Sequence, residues 1–335
     1  MSQIAANNLV IKYSIIIPVK SINKYVTQTV SEIDRIDRSD LEVIILTNSD
    51  EDVPICSKKI TIIPTGRVGP AEKRDLGATQ SSGTILVFLD DDSYPQINFL
   101  DYADRFFQEE GIVAIGGPGI TPPNASFSER ISGAVFLSKF TGGAPERYIS
   151  YGSIREVDDW PSVNLMVRKK EFIEIGGFDT QYWPGEDSKL CLDLITLTQK
   201  KILYIPEMIV WHHRRSSLYQ HLKQIGGYGL HRGYFAKRRK KNSLKAKYFI
   251  PSTFVFLLLG SWALSMANID LATYLLLSVL AMYQVVLILG YMDLRKYESR
   301  SVSLAAMLYV ILTHVVYGLS FANGFFKNKL VSKLR

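Results

Sequence analysis

Three consecutive aspartates, Asp90, Asp91 and Asp92, follow the apolar run Ile85–Leu89 and precede SYP. Carboxylates this close repel one another unless something positive sits among them, and their hard oxygens suit a divalent cation, magnesium or manganese. An acidic turn in water has the same composition, because aspartate is common in turns. The partners elsewhere in the chain must decide. Lys73 and Arg74 stand near a helix start just before this strand and offer charge neutralisation for a diphosphate. A second acidic pair, Glu186-Asp187, closes YWPGED at the start of a helical pattern. A carboxylate in hydrogen-bond reach of a hydroxyl can take its proton, although acids also suit helix N-termini for electrostatic reasons alone. MIVWHH then ends in His212 and His213 and runs into Arg214 and Arg215, whose guanidinium groups suit bidentate contact with phosphate oxygens.

The elements that must carry these groups alternate. Tyr13 opens a β-rich apolar run that Pro18 ends, a helix is expected over residues 23–36, and a second strand over 41–46 opens into TNSDED. Strand, helix and strand at this spacing make a βαβ unit in an α/β fold. Ligands of such sheets gather at the carboxyl ends of strands. That rule puts the aspartate triplet, and Asp50 beside it, on the ligand side. Residues 60–64 predict a short third strand. Residues 66–83 combine a glycine-rich loop with a helix but match neither the dinucleotide fingerprint nor the phosphate loop. Prolines confine 116–123 to a loop or sheet edge. Residues 170–178 read as a helix with a glycine stop, and 202–206 and 208–213 as strands. Neighbouring strand residues face opposite ways, so His212 and His213 cannot easily serve one site.

In order, SIIIPVK, TNSD, AEKRDLGATQSSGTILVFLDDDSYP, SVNLMVRKKEFIEIGGFD, GED and VWHH resemble a family 2 glycosyltransferase over residues 12–235. The resemblance implies a GT-A fold, a Rossmann-like mixed sheet flanked by helices, and a donor that is a nucleotide-sugar. It implies a D-x-D motif in which Asp92 is the direct ligand of Mn2+ or Mg2+ and Asp90 assists, with His212 at the metal or diphosphate. Pro18, Lys20, Asp50, Arg74, Asp90 and Asp91 then line the nucleotide-sugar pocket. Asp187 is the expected base for direct displacement with inversion, with Glu186 the alternative. Asp158, Asp159, Trp160, Asn164 and Trp183, with Arg214 and Arg215, are the acceptor and diphosphate candidates, although Trp160 equally suits core packing. Asp75 stands where the family commonly has asparagine.

The 335 residues carry a net charge of +7 and divide unevenly in hydropathy. The reading is a catalytic domain over 1–231, a basic segment over 232–248, and a membrane domain over 249–335. Residues 249–268 and 271–292 contain no Asp, Glu, Lys or Arg, and 302–326 only His314 as a titratable group. Each is long enough to cross a hydrocarbon core of roughly 30 Å. Eight Lys or Arg residues between Arg232 and Lys247 abut the first of them. That position suits anionic lipid headgroups rather than nucleic acid, and a cytoplasmic flank. The N-terminal residues show no signal peptide, and two distant cysteines fit a reducing compartment. The catalytic domain is therefore expected on the cytoplasmic face of a multi-pass membrane protein, acting on a lipid-linked acceptor. Three crossings are expected, although the third would leave Lys327, Lys329, Lys333 and Arg335 outside, against the charge rule. A processive polysaccharide synthase would need a Q-x-x-R-W signature, which is missing, and a non-catalytic binding module leaves the acidic motifs idle.

Overall fold

The computed structural model describes residues 11–142, 144–178, 185–238, 243–267 and 269–330. The chain enters through β1 (Tyr13–Pro18), crosses by α1 (Lys24–Asp34) to β2 (Leu41–Thr47), and continues to β3 (Lys59–Pro64), α2 (Pro70–Gln80) and β4 (Ile85–Leu89). Asn23 starts α1 by accepting the N–H groups of Tyr25 and Val26 on its side-chain oxygen. Such a cap satisfies two donors that a helix start leaves free. β1 pairs in parallel with β2 and β4, and β2 with β3. These strands read as continuous apolar runs because both faces are covered. Ile15 and Ile17 enter one core layer with Val26 and Val30, while Ile16 enters the other with Phe88, Phe172 and Leu190.

Next come β5 (Ser93–Pro95), α3 (Phe99–Phe106), β6 (Ile112–Gly116), β7 (Gly119–Ile120), α4 (Phe127–Ala134), β8 (Arg155–Val157), β9 (Asn164–Arg168) and α5 (Lys169–Glu174). The sheet domain closes with α6 (Glu186–Thr198), β10 (Lys201–Tyr204), β11 (Val210–His212) and α7 (Leu218–Lys237). The main sheet has the order β3-β2-β1-β4-β9-β6-β10-β8, with β9 antiparallel to both β4 and β6. A small second sheet, β5-β11-β7, hangs on its carboxyl edge. The expected strands at 13–18, 41–46, 60–64 and 85–89 are present. The sequence reading leaves central strand β6 and helix α3 unassigned.

Three apolar helices follow, α8 (Ile250–Met266), α9 (Asp270–Leu294) and α10 (Arg300–Phe326). α9 and α10 are long and apolar enough to cross a membrane, and α8 is shorter. The expected boundary between residues 231 and 232 falls inside α7, which runs through it without a break. α7 lies parallel to α10. His221 bonds Thr313 at 2.9 Å near one end, and Lys237 bonds Asn328 at 3.1 Å at the other. Between these points the backbones touch through glycines. A Cβ on Gly233 would stand 2.0 Å from the Phe321 carbonyl oxygen, and one on Gly324 1.9 Å from that of Leu230. Small residues permit such an approach, as in membrane helix pairs.

Candidate active site

β4 delivers the aspartates to the carboxyl edge of the sheet. There the chain turns, with the Ser93 hydroxyl donating to the Asp90 carbonyl at 2.9 Å, and leaves as β5. β11 runs antiparallel to β5 with His212 opposite Ser93. His213 N–H donates to the Asp92 carbonyl at 2.9 Å. This register brings His212 Nε2 to 3.0 Å from Asp92 Oδ1. Arg214 Nη1 lies 3.0 Å from His212 Nδ1. A guanidinium only donates, so Nδ1 accepts and Nε2 carries the proton that points at Asp92. Arg215 Nη1 stands 3.2 Å from the other Asp92 oxygen. Burial alone would raise the Asp92 carboxyl, but His212, Arg215 and Arg214 outweigh it and hold the group well below the usual carboxylate range. Asp91 is pushed up to about 6 by burial and by the charges of Asp92 and Asp90.

Asp90, Asp92 and His212 each offer one ligand atom, all within 4.8 Å of one another. The two carboxylate oxygens suit Mn2+ or Mg2+ and leave positions for phosphate oxygens. His212 Nε2 would join them in the other tautomer, with the proton on Nδ1 and the Arg214 bond given up. The residues therefore fit the expected cation.

Arg74, from the first turns of α2, ties this half of the site to the other. It is only 4% exposed, with Nη2 at 2.6 Å from Asp90 Oδ1 and Nη1 at 3.3 Å from Glu186 Oε1. α6 begins after Gly185, whose φ of +128° belongs to a glycine. Gly185 N–H donates back to Glu186 Oε2 at 2.9 Å. Asp187 accepts from Ser162, and its Oδ1 is buried with no partner among the described residues. Burial raises both carboxyls. Asp187 adds to the rise at Glu186, Asp90 to that at Asp187, and Arg74 opposes both. Glu186 is thus engaged on both oxygens, whereas Asp187 keeps one for another group.

The remaining expectations divide. Pro18 is buried at the end of β1, and Lys20 and Asp50 are exposed on the same sheet edge. Lys73 is turned inward, where its ammonium donates to the carbonyls of Val19 and Leu46 and to Asn48 Oδ1, so it braces loops instead of meeting phosphate. The acceptor assignments of Trp160, Asn164 and Asp159 need correction, because all three are buried. Trp160 is 1% exposed and donates its indole N–H to the Gly117 carbonyl at 3.0 Å. Asn164 donates to the carbonyls of Met208 and Pro118. Asp159 joins Arg147, Arg232 of α7 and Ser188 of α6. Asp158 is exposed and pairs with Lys245 at 2.7 Å. Trp183 lies outside the described residues. Arg214 also donates to Thr121 and to the Gly119 carbonyl, which makes it the support of His212, while Arg215 keeps to Asp92. His213 faces away, toward Gln28 and Glu129. Sequence reasoning missed Ser162, Arg147 and Arg232. It also missed Glu129, the partner of His213, which did carry a local signal, the S-x-x-E capping box with Ser126.

Residues 14–159 match the model of glycosyl transferase family 2. Over that segment the chain is similar to the family 2 glycosyltransferases. The match includes Arg74 and the aspartate triplet and stops before Glu186 and His212. Among known proteins, the dolichyl N-acetyl-alpha-D-glucosaminyl phosphate 3-beta-D-2,3-diacetamido-2,3-dideoxy-beta-D-glucuronosyltransferase of Methanococcus voltae is 24% identical over 189 residues, 55% of this chain and 56% of that one. Glycosyltransferase AglE of Haloferax volcanii is 28% identical over 201 residues, 52% and 58% of the two chains. The chain thus spans just over half the length of those relatives. The mannosyltransferase PcManGT of Pyrobaculum calidifontis, solved with GDP-Man and Mn2+, superposes with a TM-score of 0.57 at 15% identity over 92% of this chain and 87% of that chain. That likeness is one of fold, and the fold is GT-A.

Proposed function

We propose that the protein is a membrane-bound, divalent-cation-dependent inverting glycosyltransferase that moves a sugar from a nucleotide-sugar to a lipid-linked acceptor at the cytoplasmic face. The observation that carries the reading is the convergence of Asp90, Asp92 and His212 within 4.8 Å of one another, joined through Arg74 to Glu186 beside a partly free Asp187. A cation held by Asp90, Asp92 and His212 would neutralise the charge that a leaving nucleoside diphosphate develops. Arg74 keeps Asp90 and Glu186 in place. Asp187 takes the proton of the acceptor hydroxyl as its oxygen attacks the anomeric carbon on the face opposite the departing diphosphate, and configuration inverts. The lipid-linked acceptor is favoured by the M. voltae relative, whose name gives a dolichyl phosphate sugar as its substrate, and by the apolar helices that follow the domain.

The test uses the full chain in detergent with UDP-, GDP- and TDP-sugars, Mn2+ and a membrane lipid extract. Asp92→Asn is expected to abolish Mn2+-dependent donor binding, measured by thermal shift, together with transfer. Asp187→Asn is expected to keep donor binding and lose about 10²–10⁴-fold in transfer rate, the range of a general base. Full transfer by the Asp187 variant, or by the wild type in EDTA, would sink the reading.

A further inference from the structure

We propose that α10 does not cross the membrane but lies along its surface, between the bilayer and the catalytic domain, and that only the α8–α9 hairpin crosses. The proposal rests on the membrane attachment stated above. It replaces the expectation of three crossings.

By composition α10 resembles a span, with a mean hydropathy of 1.9. Its contacts do not. Just before it, Glu298 accepts from Arg130 Nε at 3.1 Å, beside the first turn of α4. Val302 and Ala306 then pack with Ile131 and Ala134 of α4. At mid-helix Thr313 Oγ1 is 2.9 Å from His221 Nε2, and the other ring nitrogen of His221 is 2.9 Å from Ser132 Oγ. The next residue, His314, donates to the Thr141 carbonyl at 2.7 Å. Toward the end Gly324 sits on Leu230 of α7, and Arg232, on the same turn of α7, is held by Asp159 at 3.1 Å. Beyond the end Asn328 accepts from Lys237.

A helix of 27 residues is about 40 Å long, and the hydrocarbon core is roughly 30 Å thick. A crossing helix would leave the catalytic domain at its first turn and surface on the far side. α10 instead meets that domain, directly or through α7, at its start, middle and end. Its outward residues Leu304, Leu308, Leu319 and Phe326 are exposed and fall on one helical face at 3.6 residues per turn. α9 differs, since Tyr274, Leu275, Leu277, Leu280 and Ile288 leave it exposed around more than half of its circumference. One apolar face with the other face packed on protein is the pattern of a helix sunk into the headgroup boundary. Charge agrees, because Arg295 and Lys296 before α10 and Lys327 and Lys329 after it then share one membrane side with the basic segment near α7. The occupant of the outward face is the anionic bilayer surface.

The experiment labels single-cysteine variants of the full chain, in a Cys56→Ser background, with a membrane-impermeant maleimide in sealed vesicles of either orientation. Cys191 is fully buried and can stay. Ile55→Cys, at a fully exposed position, reports the catalytic side. Lys329→Cys is expected to label in the same vesicles as Ile55→Cys, and Ala267→Cys, between α8 and α9, in the opposite ones. Labelling of Lys329→Cys with Ala267→Cys would show that α10 crosses, and labelling of Ala267→Cys with Ile55→Cys that the hairpin does not. Either pattern overturns the proposal, as does release of the chain by alkaline carbonate. None of these readouts depends on sugar transfer, so a failed activity assay bears on the chemistry alone.

Discussion

Residue by residue, the site is a set of buried charges whose environments push them in different directions. Asp92 is held ionised by His212 and two arginines, whereas Glu186 and Asp187 are driven toward the protonated form by burial. A base works only when unprotonated, so the acid limb of kcat/KM is expected above the ordinary carboxylate range near 4. Activity should fall as pH drops through that raised value, and a pH–rate profile reads it directly. Asp75 offers a matching test on stability. Burial lifts its carboxyl to about 7 while it accepts the Phe178 N–H at 2.8 Å. Its raised value is the folded one, so ionised Asp75 opposes folding, and the cost grows from the unfolded value up to about pH 7. Asp75→Asn can accept the same bond without the charge. Its gain in Tm over the wild type is expected to be small at pH 5, larger at pH 7 and constant above, as thermal melts in detergent would record. The aspartate triplet and the acidic pair were legible because acids after an apolar strand or at a helix start have few placements. Asp159, Trp160 and Asn164 were not, since residue type in a short loop or at a strand's first residue does not say which side faces the core.

Among the elements, strands with continuous apolar runs were legible, and β6 was not, because IVAIG is too short to separate from a loop edge without its partners. The pairing of α7 with α10 was equally hidden. Gly226, Gly227 and Gly229 stood out as interruptions, but glycine spacing does not name the helix that fills it. Gly233→Ala is expected to cost about 1–3 kcal/mol, the range for overpacking, because its Cβ meets the Phe321 carbonyl. Gly226→Ala should be tolerated, with its nearest neighbour at 3.5 Å. Melting of the two variants compares them. α7 also grips α6. Phe235 covers Gly185, and Arg232 reaches Ser188, the residue after Asp187, through Asp159. Arg232→Met is therefore expected to lower kcat about tenfold, the scale of losing one charge-assisted hydrogen bond, while donor affinity stays unchanged and Arg232→Lys recovers part of the rate.

For the whole molecule, the sheet domain and the C-terminal apolar helices are not separable modules. α4 and α7 bury their faces against α10, so a chain ending at Lys247 would expose Ile131, Ala134 and the glycine face of α7. Such a chain is expected to remain insoluble without detergent, which sedimentation would show, even though the cut leaves β1–β11 and α1–α7 intact. Length and composition predicted the apolar helices well. They did not separate a helix that enters lipid from one that rests on it, because both need the same residues and differ only in what covers the other face.

The charges gathered around Arg74 bear on the order of events. Asp90, Asp91, Asp92, Glu186 and Asp187 outnumber the guanidinium groups of Arg74, Arg214 and Arg215. With Glu186 and Asp187 driven toward their neutral forms, however, the three aspartates and the three guanidinium groups nearly balance. Under the proposed chemistry a divalent cation held first by Asp90 and Asp92 would therefore turn the site positive toward an arriving diphosphate.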